Sequence, residues 1–222
     1  MKAIIIVHEE TEGPGTLGDF LDAQGVDVHV ARLFAGDTLP EKPSGFSAVI
    51  SMGGPMNVYE NDKYPFLEME RGFLKQGLDM KVPMLGVCLG AQMLAHAGGA
   101  RVVKSPKEEV GWSKVFLTDE GSRAPLFQGL PGELEVFQWH GDMFHIPTDG
   151  TLLATGTDCP HQAFRYSNAF GLQFHVEITR ELLARWFADS RLKDSILEGY
   201  DNIRPVLDSR AETMYRNFLE LT

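Results

Sequence analysis

Cysteine is nearly absent from this chain: Cys88 and Cys159 are the only two in 222 residues. That is too few for a disulfide framework or an all-cysteine zinc site, although one bridge between them remains arithmetically open. Positive charge is also scarce. Twenty Lys and Arg face 31 Asp and Glu, a formal net charge of −11. This balance argues against a nonspecific nucleic-acid binder, which needs clustered cations to displace counterions from phosphates. No run approaches the ~20 apolar residues of a membrane span. The first apolar run, Ala3–Val7, is shorter than a signal-peptide core, and Glu9 and Glu10 follow it. There is no HExxH, Walker A or GxGxxG pattern, no internal repeat and no low-complexity segment. The expectations are a reduced, cytoplasmic protein with no metal, no cofactor, no nucleic acid and no membrane partner. Composition is otherwise ordinary, with 43% hydrophobic and 23% charged residues, and one domain over residues 1–222 is the simplest reading.

The first 105 residues alternate strand-like and helix-like segments. Strands are expected at Ala3–Val7, Val26–Ala31, Phe46–Ser51 and Val82–Val87, where apolar runs or a period of two occur. Helices are expected around Leu17–Ala23, Phe66–Leu78 and Leu89–Ala97. This order predicts a parallel sheet with helices on both faces. In the second half, shorter strands are expected at Trp112–Leu117, Leu134–Gln138, Leu152–Thr155, Ala163–Tyr166 and Phe170–Phe174, with some antiparallel pairing. Thr179–Ser190 and Ala211–Leu221 read as helices, and Arg191–Asp208 as a less regular stretch.

Chemistry concentrates at Gly86-Val87-Cys88-Leu89-Gly90-Ala91-Gln92. A strand ends at Val87, a helix begins near Leu89, and glycines flank Cys88. This is the pattern of a nucleophile elbow with cysteine in the serine position. The glycines give the backbone room for a strained turn, and the helix N-terminus offers free N–H groups that favour a thiolate and can hold an oxyanion. Without that context, a buried inert cysteine would be the better reading. Cys159, before Pro160 in a loop-like segment, lacks the context and reads as noncatalytic.

A cysteine nucleophile needs a base and a group to orient it. Among seven histidines, His175 is the strongest candidate, at the end of a strand-like run with Glu177 two residues on. Alternating residues of a strand share a face, so His175 and Glu177 should emerge side by side. The order Cys88, His175, Glu177 differs from the nucleophile, acid, histidine order of α/β-hydrolases. His140 and His145 flank Gly141–Phe144 without enough further ligands for a metal site. His8, His29, His96 and His161 carry no usable pattern.

Together, the elbow and Phe174-His175-Val176-Glu177 resemble the class I, triad-type glutamine amidotransferases. Ser51-Met52-Gly53-Gly54-Pro55 agrees with them, and Trp139-His140-Gly141-Asp142 is similar to the Ser-His-Gly-Asp region of the glutaminase half of GMP synthetase. The matching motifs span about residues 3–180. Two positions depart from the family pattern: Val176 replaces a common proline, and Trp139 replaces a small polar residue. The resemblance implies a flavodoxin-like α/β/α sandwich with a mostly parallel sheet and its site at the carboxyl ends of the strands. It implies Cys88 as nucleophile on a γ-glutamyl amide, His175 as base and acid, and Glu177 as its orienting group. It implies an oxyanion hole from the Gly54 and Leu89 N–H groups, with Gln92, Trp139, Gly141 and Asp142 at the substrate. The implied partners are glutamine or another small γ-glutamyl compound and, where ammonia is delivered onward, a separate synthase subunit. Two alternatives stay open: a γ-glutamyl peptidase acting on glutathione-like conjugates, and a noncatalytic regulatory protein on the same scaffold.

Overall fold

The computed structural model describes residues 1–222. Strand β1 (Lys2–Val7) is buried on both faces after Lys2, as its unbroken apolar run predicts. Ile4 and Ile6 enter one core, while Ala3, Ile5 and Val7 enter the other. β2 (Asp27–Arg32) lies at the sheet edge, and its alternating exposure follows the period of two in its sequence. β3 (Ala48–Ser51), β4 (Met84–Val87) and β9 (Ala169–Leu172) are buried throughout. The remaining strands are β5 (Val102–Leu117), β6 (Glu133–Phe144), β7 (Thr151–Gly156) and β8 (Ala163–Tyr166).

All nine strands form one sheet in the order β2-β1-β3-β4-β9-β8-β7-β5-β6. Pairings from β2 to β9 are parallel, and those beyond β9 are antiparallel. Helices α1 (Gly15–Ala23) and α6 (Lys193–Leu219) cover one face. Helices α2 (Phe66–Asp79) and α3 (Leu89–Ala97) cover the other, and two short helices, α4 (Asp119–Arg123) and α5 (Arg180–Trp186), lie between α3 and α6 in the chain. The result is the expected three-layer flavodoxin-like α/β/α arrangement, with an antiparallel extension. No helix is long and apolar enough to cross a membrane.

Three expectations need correction. β5 and β6 run much longer than Trp112–Leu117 and Leu134–Gln138, so Trp139–Asp142 lies on a strand. Pairing between the two strands, broken by an irregularity between Lys104 and Glu109, sustains polar stretches that propensity alone would leave as loop. β9 stops at Leu172, and His175 instead makes an isolated bridge with Phe137. Finally, Arg191–Asp208 is not irregular but belongs mostly to α6, which runs for 27 residues. Gly199 and Pro205 weaken its helical pattern in sequence, yet both are accommodated. Gly199 lets the Trp112 indole lie against the helix, and Trp112 Nε1 donates to Ile196 O at 3.0 Å.

Candidate active site

The turn between β4 and α3 holds Cys88 at φ 50° and ψ −107°, a conformation rarely adopted by residues with a side chain. Its neighbours explain how the turn closes. A Cβ on Gly86 would lie 2.5 Å from Gly90 C and O, and one on Gly90 would overlap Ser51 O on β3. Both glycines are therefore required by close backbone packing. The Cys88 N–H donates to Leu172 O at 2.8 Å, tying the elbow to β9. Leu89 opens α3, so its N–H has no intrahelical acceptor. The Gly54 N–H has no backbone acceptor.

The chain bends at Gln173 and Phe174 after β9, and His175 then exchanges both backbone hydrogen bonds with Phe137. His175 Nδ1 lies 2.7 Å from Glu177 Oε1, while Glu177 Oε2 accepts from the Val176 N–H at 2.9 Å. The residue pair thus meets as its spacing predicts, although outside a regular strand. Burial opposes a charge on His175, but Glu177 and the neighbouring Cys88 outweigh it and raise the imidazole pKa well above its ordinary value. The Glu177 main chain is fixed in turn: its carbonyl accepts from the Thr16 N–H at 2.8 Å, and a Cβ on Gly15 would overlap it.

Cys88 and His175 open into a cavity of about 240 Å³ that Gly54, Leu89, Gln92, Trp139, Gly141 and Asp142 also line. Every substrate-side residue expected from sequence is therefore assembled around it. Gln92 Nε2 donates to Asp142 O at 3.1 Å and to Gln173 Oε1 at 3.2 Å. The Asp142 carboxylate takes a hydrogen bond from Tyr59 Oη at 2.9 Å and an ion pair with Lys104 Nζ at 2.7 Å. The Lys104 side chain is exposed, whereas the Asp142 side chain is buried. Trp139 is no core residue: it is 37% exposed, its carbonyl faces Cys88 Sγ at 3.7 Å, and its ring packs on Phe187 with centroids 4.5 Å apart.

Glu109, His140 and Cys159 place possible metal-ligand atoms within 4.8 Å of one another. Hydrogen bonds link Glu109 and His140 to their neighbours. Glu109 Oε2 accepts from Gln162 Nε2 at 2.7 Å and lies 3.0 Å from His140 Nε2, while His140 Nδ1 donates to Asp142 O at 2.9 Å. The network holds the Trp139–Asp142 segment from behind. Cys88 and Cys159 are both buried free thiols.

Residues 19–190 match the family described as glutamine amidotransferase class-I. The chain belongs to this family. A glutamine amidotransferase-like protein of Salmonella typhimurium, YfeJ, is 30% identical over the whole of this chain and 98% of its own length. The glutamine-hydrolyzing GMP synthase of Thermosipho africanus is 33% identical over 78% of this chain, which spans only 31% of that protein. Among solved structures, a glutamine amidotransferase from Thermotoga maritima superposes with a TM-score of 0.91 at 31% identity, covering 99% of this chain and 98% of that one.

Several residues that line or back this cavity carry no clear mark in the sequence. Gln173 Nε2 approaches Cys88 Sγ at 3.8 Å; its position two residues before His175 was the available signal. Trp186, on α5 (Arg180–Trp186), lines the cavity and meets the His175 ring edge-on, with centroids 5.2 Å apart. Its place on the apolar face of that helix disguised it as core. Glu12 lies in the loop after β1 and lines the same cavity. His8 is buried behind Gly53-Gly54: its Nδ1 donates to Gly53 O at 3.0 Å, and Nε2 lies 2.7 Å from Glu70 Oε2. Burial works against a charged His8, but Glu70 and Gly53 prevail and raise its pKa. No local pattern marked His8 or Glu12.

Proposed function

We propose that this chain, as a single domain over residues 1–222, hydrolyses a γ-glutamyl amide through a thioester on Cys88. The observation carrying the proposal is the convergence of the strained Cys88, His175 hydrogen-bonded to Glu177, and the helix N-terminus at Leu89 on one cavity. Cys88 Sγ attacks the γ-carbonyl carbon, and the Gly54 and Leu89 N–H groups hold the developing oxyanion. His175, kept in orientation by Glu177, takes the Cys88 thiol proton and gives it to the departing nitrogen as the C–N bond breaks. Water then attacks the thioester with His175 as base, releasing glutamate and restoring the thiol. Gln92, the Trp139 and Gly141 backbone and Asp142 hold the glutamyl portion, with Asp142 exchanging Lys104 for the substrate ammonium.

With glutamine the released product is ammonia, and a synthase on a separate chain would consume it. The two unbridged thiols suit a reducing compartment, the cytoplasm. A larger leaving group is the second reading. It is favoured by the continuation of the cavity past Cys88 to Glu12, Trp139 and Trp186. Intact-protein mass spectrometry during turnover of glutamine and γ-glutamyl amides tests the proposal. One γ-glutamyl adduct on Cys88 is expected, absent in Cys88→Ala. Undiminished turnover by folded Cys88→Ala would overturn it.

A further inference from the structure

The cavity has a marked charge asymmetry. Glu12, Glu108 and Asp142 line it, and no Lys or Arg does. Asp142 is already matched by Tyr59 and Lys104. Glu12 is different: its half-buried carboxylate has no Lys or Arg partner, and only the His175 and His8 imidazoles attract it. It is also placed at a defined point. A Cβ built on Gly53 would lie 2.5 Å from Glu12 Oε2 and 3.2 Å from His175 Cε1, so the carboxylate and the imidazole converge on one spot. This is the His175 side of Cys88. Gln92 and Asp142 are joined to each other on the glutamyl side by the hydrogen bond from Gln92 Nε2 to Asp142 O.

The Glu12 loop is held rather than loose. Trp186 Nε1 donates to Thr11 O at 2.7 Å, and the Trp186 ring packs on both His175 and Trp139, the latter with centroids 5.6 Å apart. Two indoles and a carboxylate therefore border the path a leaving group takes from His175. Indole faces attract cations through their quadrupole, and a carboxylate supplies a charge-assisted hydrogen bond. The same surroundings repel a carboxylate-bearing leaving group such as a peptide C-terminus. Burial pushes the Glu12 carboxyl pKa up, while the His175 and His8 imidazoles pull it down without hydrogen-bonding to it.

Building on the hydrolase reading, we infer that Glu12 is a specificity-determining residue and that the substrate is the γ-glutamyl amide of an alkylamine carrying a second, cationic ammonium group. Cys88 Sγ bonds the γ-carbon, the amide C–N bond breaks, and the His175 proton goes to the nitrogen attached to the γ-carbon. The product amine leaves with its distal ammonium against Glu12. Water then breaks the S–C bond, giving glutamate and the free thiol.

The test compares kcat/KM for γ-glutamyl aminobutylamide, its uncharged near-isostere γ-glutamyl pentylamide, glutathione and glutamine. The cationic amide should exceed the uncharged one by about 10–100-fold, mainly through KM, as a charge-assisted contact predicts. Glutathione should fall below the uncharged amide. Glu12→Gln should bring the cationic-to-uncharged ratio close to one. Equal rates for the two amides in the natural protein would overturn the inference. So would an unchanged ratio in Glu12→Gln, or an equal loss on both amides, which would make Glu12 a partner of His175 alone. Turnover of glutamine and pentylamide through a Cys88 thioester, with no preference for the cation, would sink this inference and leave the hydrolase reading standing. No turnover of any compound would overturn both.

Discussion

Cys88 combines a buried side chain with a backbone angle better suited to glycine. Such strain costs on the order of 1–3 kcal/mol, supplied by packing around Gly86 and Gly90. Cys88→Gly should therefore be more stable than Cys88→Ala by about 1 kcal/mol in urea unfolding. Equal midpoints would show that the turn stores no strain. The two buried imidazoles make a separate prediction. His8 and His175 both have folded pKa values raised above 6.5. Their ion pairs contribute fully below the unfolded pKa and lose that contribution as pH rises through the folded values. Stability should fall with rising pH above about 6.5, and His8→Asn should flatten part of the slope. A rise over the same interval would contradict the assignment of either imidazole as the charged partner. Gly54→Ala, by disturbing a proposed oxyanion donor, should lower kcat by about 100-fold with KM little changed. A preserved kcat would remove Gly54 from the proposed oxyanion hole.

Helix α6 shows how one element can hold two local exceptions of opposite sign. Pro205 is exposed within it, lacks an N–H and leaves one carbonyl without its helical donor. Pro205→Ala should raise stability by about 1–3 kcal/mol. Gly199 also looks like a helix weakness, but a Cβ there would overlap the Trp112 indole. Gly199→Ala should therefore destabilise by about 1–3 kcal/mol despite its better propensity. Urea midpoints for the two variants should move in opposite directions; movement in the same direction would mean that propensity, not packing, governs the helix. The element also shows why sequence reading stopped short. Helical spacing was visible at Met214, Tyr215, Phe218 and Leu219, while Gly199 and Pro205 interrupted it upstream, and only tertiary contact with Trp112 accounts for the first of them.

Across the whole molecule, legibility follows the distance over which each feature is specified. Gly86-x-Cys88-x-Gly90 and His175-x-Glu177 are short-range patterns tied to chemistry, and the structure brings them together. The α/β order, too, was readable from apolar runs in the first half. Glu12 and Trp186 reach the site, and the His8–Glu70 pair backs it, through contacts among separate elements, so no local spacing reports them; Gln173 is marked only by its place two residues before His175. The β5 and β6 extensions escaped for a related reason: each polar segment is held by its partner strand.

The central pairing of β4 with β9 also sets a timetable. Val87 is in register with Leu172, and the Cys88 amide is bonded to that same residue, across a closure of some 84 intervening positions. Long-range closure of this kind is slow relative to local helix formation. Cys88 should therefore acquire its native reactivity late, after far-UV circular dichroism has recovered most of its helical signal. Stopped-flow refolding with a thiol-directed electrophile, pulsed at increasing delays, measures the order of events; native labelling rates in step with the earliest helix signal would refute it. A nascent chain truncated before β9 would then carry the elbow's residues without the strand that completes their register, so reactive sulfur chemistry is withheld until nearly the entire sheet has been synthesised.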